Sequence, residues 1–149
     1  MADRIAPIRK TTAEILTDLL AGHDEAMRFG GVEKAKKYLL NFFERAHSIP
    51  NAVKFFLYDL LADDAFRCDD IETCREAVGK AADYLPAAQE ETSQRFREYT
   101  PSIRLYELGI SLAMDEGEFE KALSLCDQAL AVGLGKAYAA KKASIERMM

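Results

Sequence analysis

The sequence predicts an all-α domain built from antiparallel helical hairpins. Its 149 residues are 49% apolar and 30% charged, a globular mixture that fits one domain spanning residues 1–149. In most segments apolar residues recur three and four positions apart, which is the period of an amphipathic helix. Helix breakers are few, with 8 Gly and 4 Pro, and most of them fall between the periodic segments. We therefore expect helices joined by short turns.

The first hairpin is expected over about residues 11–47. Thr11 and Glu14 have the spacing of a capping box, in which each residue satisfies a backbone donor of the other. Gly30-Gly31 interrupts the apolar pattern, so a second helix is expected to begin after it. The apolar stripe of the first helix is Ile15, Leu16, Leu19 and Leu20, and that of the second is Ala35, Tyr38, Leu39, Phe42 and Phe43.

The second hairpin is expected over about residues 52–85. Its first helix, residues 53–66, is apolar on nearly all sides and is predicted to be the most buried. A strand is the alternative for so short an apolar run, but the length of the segment favours a helix. Asp69 and Glu72 have the spacing of a cap for the second helix, which is expected to end at Pro86 because proline disrupts a helix interior.

A polar segment follows at about residues 87–99. Only Phe96 and Tyr99 could anchor it to a core. We predict a surface helix here, with a linker as the alternative.

The third hairpin is expected over about residues 101–132. Thr100-Pro101 has the pattern of an N-cap followed by proline in the first turn, which predicts a helix from Ser102. Gly133 is expected to end the hairpin as a C-cap. A last, Lys-rich helix is predicted at about 135–148.

The second and third hairpins share a pattern of large and small residues at matched positions. The second has Leu61-Ala62, Ala65, Cys74, Val78, Ala81 and Pro86, and the third has Leu108-Gly109, Leu112, Ala122, Cys126 and Ala129. This pattern resembles the tetratricopeptide repeat (TPR), although the spacing exceeds the ~34 residues of that repeat. The resemblance implies a short right-handed solenoid of stacked hairpins with a C-terminal capping helix. Another antiparallel helical bundle is the alternative.

The TPR resemblance also implies a binding face. In that family the first helix of each hairpin lines a concave surface that holds peptide segments. The corresponding residues here are Leu20 and Asp24, then Phe56, Asp59, Asp63 and Phe66, then Tyr106, Ile110 and Met114. Aromatic and acidic side chains together suit a ligand with apolar anchors and a Lys or Arg. The alternative is that Phe56, Phe66 and Ile110 are core residues, covered by the polar helix or by a second copy of the chain.

Composition and spacing disfavour several other functions. The net charge of −5 disfavours nucleic acid as a partner, because phosphate binding depends on Lys and Arg. No apolar stretch reaches the ~20 residues of a membrane span, and Pro7 breaks the only apolar run that could begin a signal peptide. The three cysteines form no CxxC pair, so we expect reduced thiols in a cytoplasm, with Cys74 and Cys126 in the core.

Neither catalysis nor a metal or other cofactor is expected. His23 and His47, the only histidines, have no metal-ligand spacing and are predicted to lie at the surface. We predict a cytoplasmic adaptor or scaffold that binds a protein or peptide segment, with homodimerisation as a further possibility. One alternative is a small-molecule sensor with a pocket under Phe56 and Tyr106, and another is a homo-oligomeric structural protein. An enzyme is a further alternative.

Overall fold

The computed structural model describes residues 11–45 and 48–149, and within these ranges it is all-helical. The elements in chain order are α1 (Thr12–Arg45), α2 (Asn51–Arg67), α3 (Ile71–Glu91), α4 (Ser93–Tyr99), a 3-10 turn (Thr100–Ser102), α5 (Leu105–Asp115), α6 (Phe119–Val132) and α7 (Lys136–Met148). The predicted all-α class is confirmed. None of the helices in the described part of the chain has the length and apolar character needed to cross a bilayer.

The α1 segment is broken at Gly31, as the sequence predicts. Gly31 has φ 77° and ψ −173°, a conformation that favours glycine because it has no Cβ. The two halves of α1 pack against each other beyond this break. The Tyr38 hydroxyl donates to the Asp18 carbonyl at 3.1 Å, and it lies where a Cβ on Gly22 would be. The absence of a side chain at Gly22 is therefore what admits the Tyr38 ring.

Two helix starts test the predicted caps. The capping box at the start of α1 is confirmed, because the Glu14 amide donates to Thr11 Oγ1 at 3.1 Å and the Thr11 amide donates to Glu14 Oε1 at 3.0 Å. The prediction for α3 is wrong by one residue. Asp70 is the N-cap and accepts a hydrogen bond from the Thr73 amide, while Asp69 takes the left-handed backbone conformation of the preceding turn.

The end of α3 also differs from the prediction. The helix continues through Pro86 to Glu91, and Pro86 is exposed, so its ring does not disturb the core. The helix ends at Thr92, whose hydroxyl donates to the Ala88 carbonyl at 2.6 Å. The predicted polar helix is therefore divided between the last turn of α3 and the separate helix α4.

The helices pack in chain order around α2. In the described residues α2 contacts α1, α3 and α5, while α3 contacts α5, α5 contacts α6, and α6 contacts α7. Ten of the 17 residues of α2 are buried, more than in any other described helix. The prediction that α2 is the most buried helix therefore holds for the number of buried residues, whereas α5, with seven of 11, is buried over a slightly larger fraction. The small residues Ala62, Cys74, Gly109 and Ala122 are all buried. Small side chains at such positions allow helix backbones to approach closely.

Gly109 shows this close approach most clearly. A Cβ built on Gly109 would lie 3.1 Å from Leu125 Cδ1 and 3.2 Å from Val78 Cγ1. We expect Gly109→Val to lower the free energy of unfolding by about 1–3 kcal/mol, because its branched side chain would overpack this contact. Urea denaturation measures the change.

A second helical glycine provides the control. A Cβ on Gly79 has nothing within 4 Å, and valine has a higher helix propensity than glycine. Gly79→Val should therefore leave stability unchanged or slightly higher. Equal stabilities of the two variants would show that Gly109 is not at a close helix contact.

Candidate functional site

The structure divides the predicted binding face between the core and the surface. Phe56, Asp59, Tyr106 and Ile110 are buried, Leu20, Asp63 and Met114 are half-buried, and Asp24 and Phe66 are exposed. The prediction of an open face is therefore wrong for the four buried residues, whose side chains offer a partner almost no surface. Of the three residues that the alternative assigned to the core, Phe56 and Ile110 are buried, while Phe66 is 40% exposed in this single chain.

Phe56 is buried because α4 covers it. The Tyr99 ring of α4 lies 4.9 Å from the Phe56 ring, centroid to centroid, with the planes at 74°. Edge-to-face contacts of this kind are favourable for aromatic pairs. The polar segment thus supplies the cover that the sequence left as an alternative.

Asp59 caps the N-terminus of α5 although it belongs to α2. Its carboxylate accepts hydrogen bonds from the Tyr99 hydroxyl at 2.6 Å, from the Leu105 amide at 2.8 Å and from the Arg104 amide at 3.1 Å. The orphan N–H groups of a helix start are thereby satisfied from another helix. The predicted start at Ser102 is therefore wrong: residues 100–102 form the 3-10 turn, and α5 begins where Asp59 can reach it.

The environment of Asp59 has opposing effects on its titration. Burial raises the pKa of the Asp59 carboxyl to about 6, while the bonds from the Tyr99 hydroxyl and the two backbone amides oppose that rise. Burial likewise raises the pKa of the Tyr99 hydroxyl well above its usual value, and the Asp59 charge adds to the effect. Both groups are therefore tied to one buried hydrogen-bond network.

Asp63 joins α2 to α5 through arginines. Its carboxylate lies 3.0 Å from Arg104 Nε and 3.1 Å from Arg67 Nε. Arg104 also donates to Glu107 Oε2 at 2.7 Å. The negative charge predicted to attract a basic ligand is thus already balanced by residues of the same chain.

His23 and Asp64 form a buried pair between α1 and α2. His23 Nε2 lies 2.6 Å from Asp64 Oδ2, and the two side chains are 12% and 1% exposed. The prediction that His23 lies at the surface is wrong. Its imidazole is mostly buried, where it provides a hydrogen-bond partner for the buried Asp64 carboxylate. His47 lies outside the described residues. The sequence offered no signal for this pair, since Asp63-Asp64 resembles an ordinary exposed acidic pair.

Three helix turns lie along one edge of the molecule. Lys36 Nζ binds Asp70 at 2.9 Å, which brings the residues after the Gly31 break to the turn between α2 and α3. Arg75 at the start of α3 binds Glu116 at 3.2 Å, which brings the turn between α5 and α6 to the same place. The ends of the helices that run toward these turns therefore share one edge.

Large apolar side chains are exposed near these helix ends. We define the turn edge as Phe29, Phe66, Met114 and Met148. Phe29 is 79% exposed, Phe66 40% and Met148 60%, and Met114 is half-buried. Met114 and Met148 line one groove of about 270 Å³ between α5 and α7. Phe66 and Met114 belong to the predicted set, but nothing in the sequence singled out Phe29 or Met148.

Two of the further open grooves on the described surface border α4 and Gly109. One of about 420 Å³ separates the start of α1 from the junction of α3 and α4. The other, of about 230 Å³, lies over Gly109 between α3, α5 and α6. The predicted sensor pocket required space beneath Phe56 and Tyr106, yet both rings are packed in the core and none of these three grooves is lined by them.

The cysteines lie where the sequence predicts. Cys74 and Cys126 are fully buried, and burial raises the pKa of the Cys74 thiol to about 11. Cys68 is half-buried at the end of α2. Within residues 11–45 and 48–149, no three His, Cys, Asp or Glu side chains are grouped so that they could hold a metal ion.

Comparison with known proteins identifies no relative. No protein-family model, curated protein or solved structure matches this chain.

Proposed function

We propose that this chain is a non-catalytic adaptor that binds a segment of another protein along the turn edge. The observation that carries the proposal is that exposed apolar side chains, above all Phe66 and Phe29, stand at helix ends that the Lys36–Asp70 and Arg75–Glu116 pairs bring together. Scattered apolar residues are common on protein surfaces, but several at one edge favour an interaction site. From the predicted set, the proposal keeps Phe66 and Met114 in the turn edge and Asp63 in the ion pairs beside it. The buried residues of that set are no longer part of the proposed contact.

The surroundings of the turn edge match the usual anatomy of an interface. Ion pairs frame the apolar residues, such as Arg28 with Asp24 at 2.6 Å and Arg67 with Asp63 at 3.1 Å. An aromatic anchor within a polar rim is the arrangement in which a few residues carry most of the binding energy. We infer a partner segment that inserts apolar side chains here, with Lys or Arg at its margins to suit the net charge of −5.

The TPR-like arrangement is part of the same proposal. Each described helix packs mainly against its neighbours in the chain, which is how stacked hairpin repeats are built. Small buried residues at helix contacts, as at Gly109, support such a stack. We propose a right-handed solenoid closed by α7, acting in a cytoplasm where the three thiols stay reduced.

Affinity capture from a cell lysate tests the binding edge. We expect Phe66→Asp to reduce capture of a specific partner at least ten-fold, because the loss of an aromatic anchor costs about 2 kcal/mol or more. Asp59→Lys is unsuitable for this test, since Asp59 is fully buried and the variant would unfold.

Leu40→Asp is the matched control. Leu40 is 39% exposed, almost the same as Phe66, but it lies in the second half of α1, roughly 13 Å along the helix from Gly31 at 1.5 Å per residue. This variant should keep the partner. Equal losses in the two variants, or no capture by the wild-type chain, would contradict the proposal. Capture of the chain itself, together with a dimer in light scattering, would favour the homo-oligomeric alternative.

A further inference from the structure

Apart from its chain neighbours α3 and the 3-10 turn, helix α4 contacts the described residues mainly through two aromatic side chains. Five of its seven residues, Ser93, Gln94, Arg95, Arg97 and Glu98, are exposed. Phe96 is only 5% exposed, and Tyr99 follows it by three residues, so both side chains lie on one face of the helix. The α4 backbone stays more than 8 Å, Cα to Cα, from α1 and α2 in the described residues. Side chains alone therefore bridge this gap.

The surface that receives these aromatics is formed by α2. We call Phe55, Phe56 and Asp59 the α4 site. The Phe96 ring lies 5.6 Å from the Phe55 ring, and the Tyr99 ring lies 4.9 Å from the Phe56 ring. The Tyr99 hydroxyl donates to Asp59 at 2.6 Å. Two rings for apolar contact and one buried acceptor for orientation form the kind of surface that recognises an amphipathic peptide helix.

Breaks in the helical backbone separate α4 from its neighbours. Thr92 leaves the helical conformation with φ −131° and ψ 42°, and Ile103 is extended after the 3-10 turn. A helix of seven residues is too short to be stable without packing. The start of α5 does not depend on it, because Asp59 binds the Arg104 and Leu105 amides directly. The end of α3 and the start of α5 therefore keep their own capping contacts independently of the α4 side chains.

One side of α4 also faces open space. The groove of about 420 Å³ between α4 and the start of α1 is lined by Leu16 of α1 and by Arg95 and Glu98 of α4. One hydrogen bond, from Arg95 Nη2 to Thr17 Oγ1 at 2.8 Å, crosses to α1, and both residues are exposed. Solvent therefore reaches the contact on the α1 side, where an incoming segment could begin to compete.

We infer that α4 is a displaceable internal ligand, and that the α4 site binds a partner helix presenting two aromatic residues three positions apart, the second bearing a hydroxyl. The partner would take the places of Phe96 and Tyr99 while α4 swings out on its two flanking turns. This site is separate from the turn edge, so failure at one surface leaves the other proposal standing.

A peptide in trans tests the inference. The probe is a fluorescent synthetic peptide with the sequence of residues 92–103, and the receptor is the full chain carrying Phe96→Ala and Tyr99→Ala. We expect this variant to bind the probe at least ten-fold more tightly than the wild-type chain, in which α4 occupies the site. A probe with alanine at both aromatic positions should not bind.

Controls separate displacement from unfolding. Gln94→Ala with Arg97→Ala changes only exposed residues of α4, so this chain should bind the probe as weakly as the wild type. A folded Phe96→Ala, Tyr99→Ala chain that gains no affinity would contradict the inference. Loss of cooperative unfolding in that chain would contradict it too, because α4 would then be an integral part of the core.

Hydrogen exchange on the wild-type chain gives an independent measurement. If α4 leaves its site by local opening, the amides of residues 96–99 should be at least ten-fold less protected than those in the middle of α2. Equal protection would mean that α4 opens only when the whole domain unfolds, and would overturn the inference.

Discussion

His23→Ala is expected to lower the free energy of unfolding by about 3 kcal/mol, because it leaves a buried carboxylate without a hydrogen-bond partner. The Asp64 side chain is 1% exposed, and His23 Nε2 lies 2.6 Å from its carboxylate. Removal of the imidazole leaves a buried carboxylate without that partner, in addition to a cavity at the contact of α1 with α2. Urea denaturation of the variant at neutral pH measures the loss.

A double-mutant cycle shows whether the pair itself is responsible. When Asp64→Ala is added to His23→Ala, no buried charge remains, so the double variant should be more stable than the sum of the single losses predicts. Lys36→Ala is the comparison, because Lys36 with Asp70 also joins α1 to the α2–α3 turn but is partly exposed. It should cost at most about 1 kcal/mol. Additive losses in the cycle would argue against coupling between His23 and Asp64.

The second large effect is a pH dependence that originates at Asp59. Burial raises the pKa of this carboxyl from 3.8 to about 6. Between these values the folded chain keeps a proton that the unfolded chain releases, so the contribution of Asp59 to stability increases as the pH falls. Relative to Asp59→Asn, the wild-type free energy of unfolding should rise by up to about 3 kcal/mol from pH 7.5 to pH 4, at about 1.4 kcal/mol per pKa unit.

The comparison with Asp59→Asn isolates this group. Asparagine retains an oxygen for the Arg104 and Leu105 amides but does not titrate, and other ionisable groups cancel in the difference. A difference that falls with decreasing pH would show that the Tyr99 hydroxyl and the two amides hold the carboxylate ionised more strongly than burial opposes it. If the difference in free energy of unfolding between the wild type and Asp59→Asn does not change with pH, the Asp59 carboxyl has the same pKa in the folded and the unfolded chain.

Local signals in the sequence were sufficient for most helices. The break at Gly31 and the capping box of Thr11 with Glu14 follow from interactions within a few residues, so spacing alone predicted them. The burial of α2 was predicted from its apolar composition. The left-handed C-cap at Gly133 was predicted for the same reason. These features depend on backbone geometry that is nearly independent of the rest of the chain.

Which residues of the predicted binding face are buried could not be predicted from local spacing. Asp59 and Asp63 have similar positions in the sequence of α2, yet Asp59 is fully buried beneath α5, whereas the Asp63 side chain is 16% exposed and pairs with arginines. Helical periodicity gives the direction of a side chain on its own helix but not what a distant segment places over it. The sequence marked Phe96 and Tyr99 as the possible anchors of residues 87–99 and left cover of Phe56 by this segment as an alternative, but it could not decide between a covered and an open face.

Local spacing and composition were enough to predict the helical class, most turns and the extensive burial of α2, because caps, turns and apolar content are properties of short segments. The capping of α5 by Asp59, the pairing of His23 with Asp64 and the closure of α4 over α2 arise from tertiary packing. Each of these contacts joins residues about 40 positions apart. Their formation depends on how whole helices pack, which no local spacing encodes.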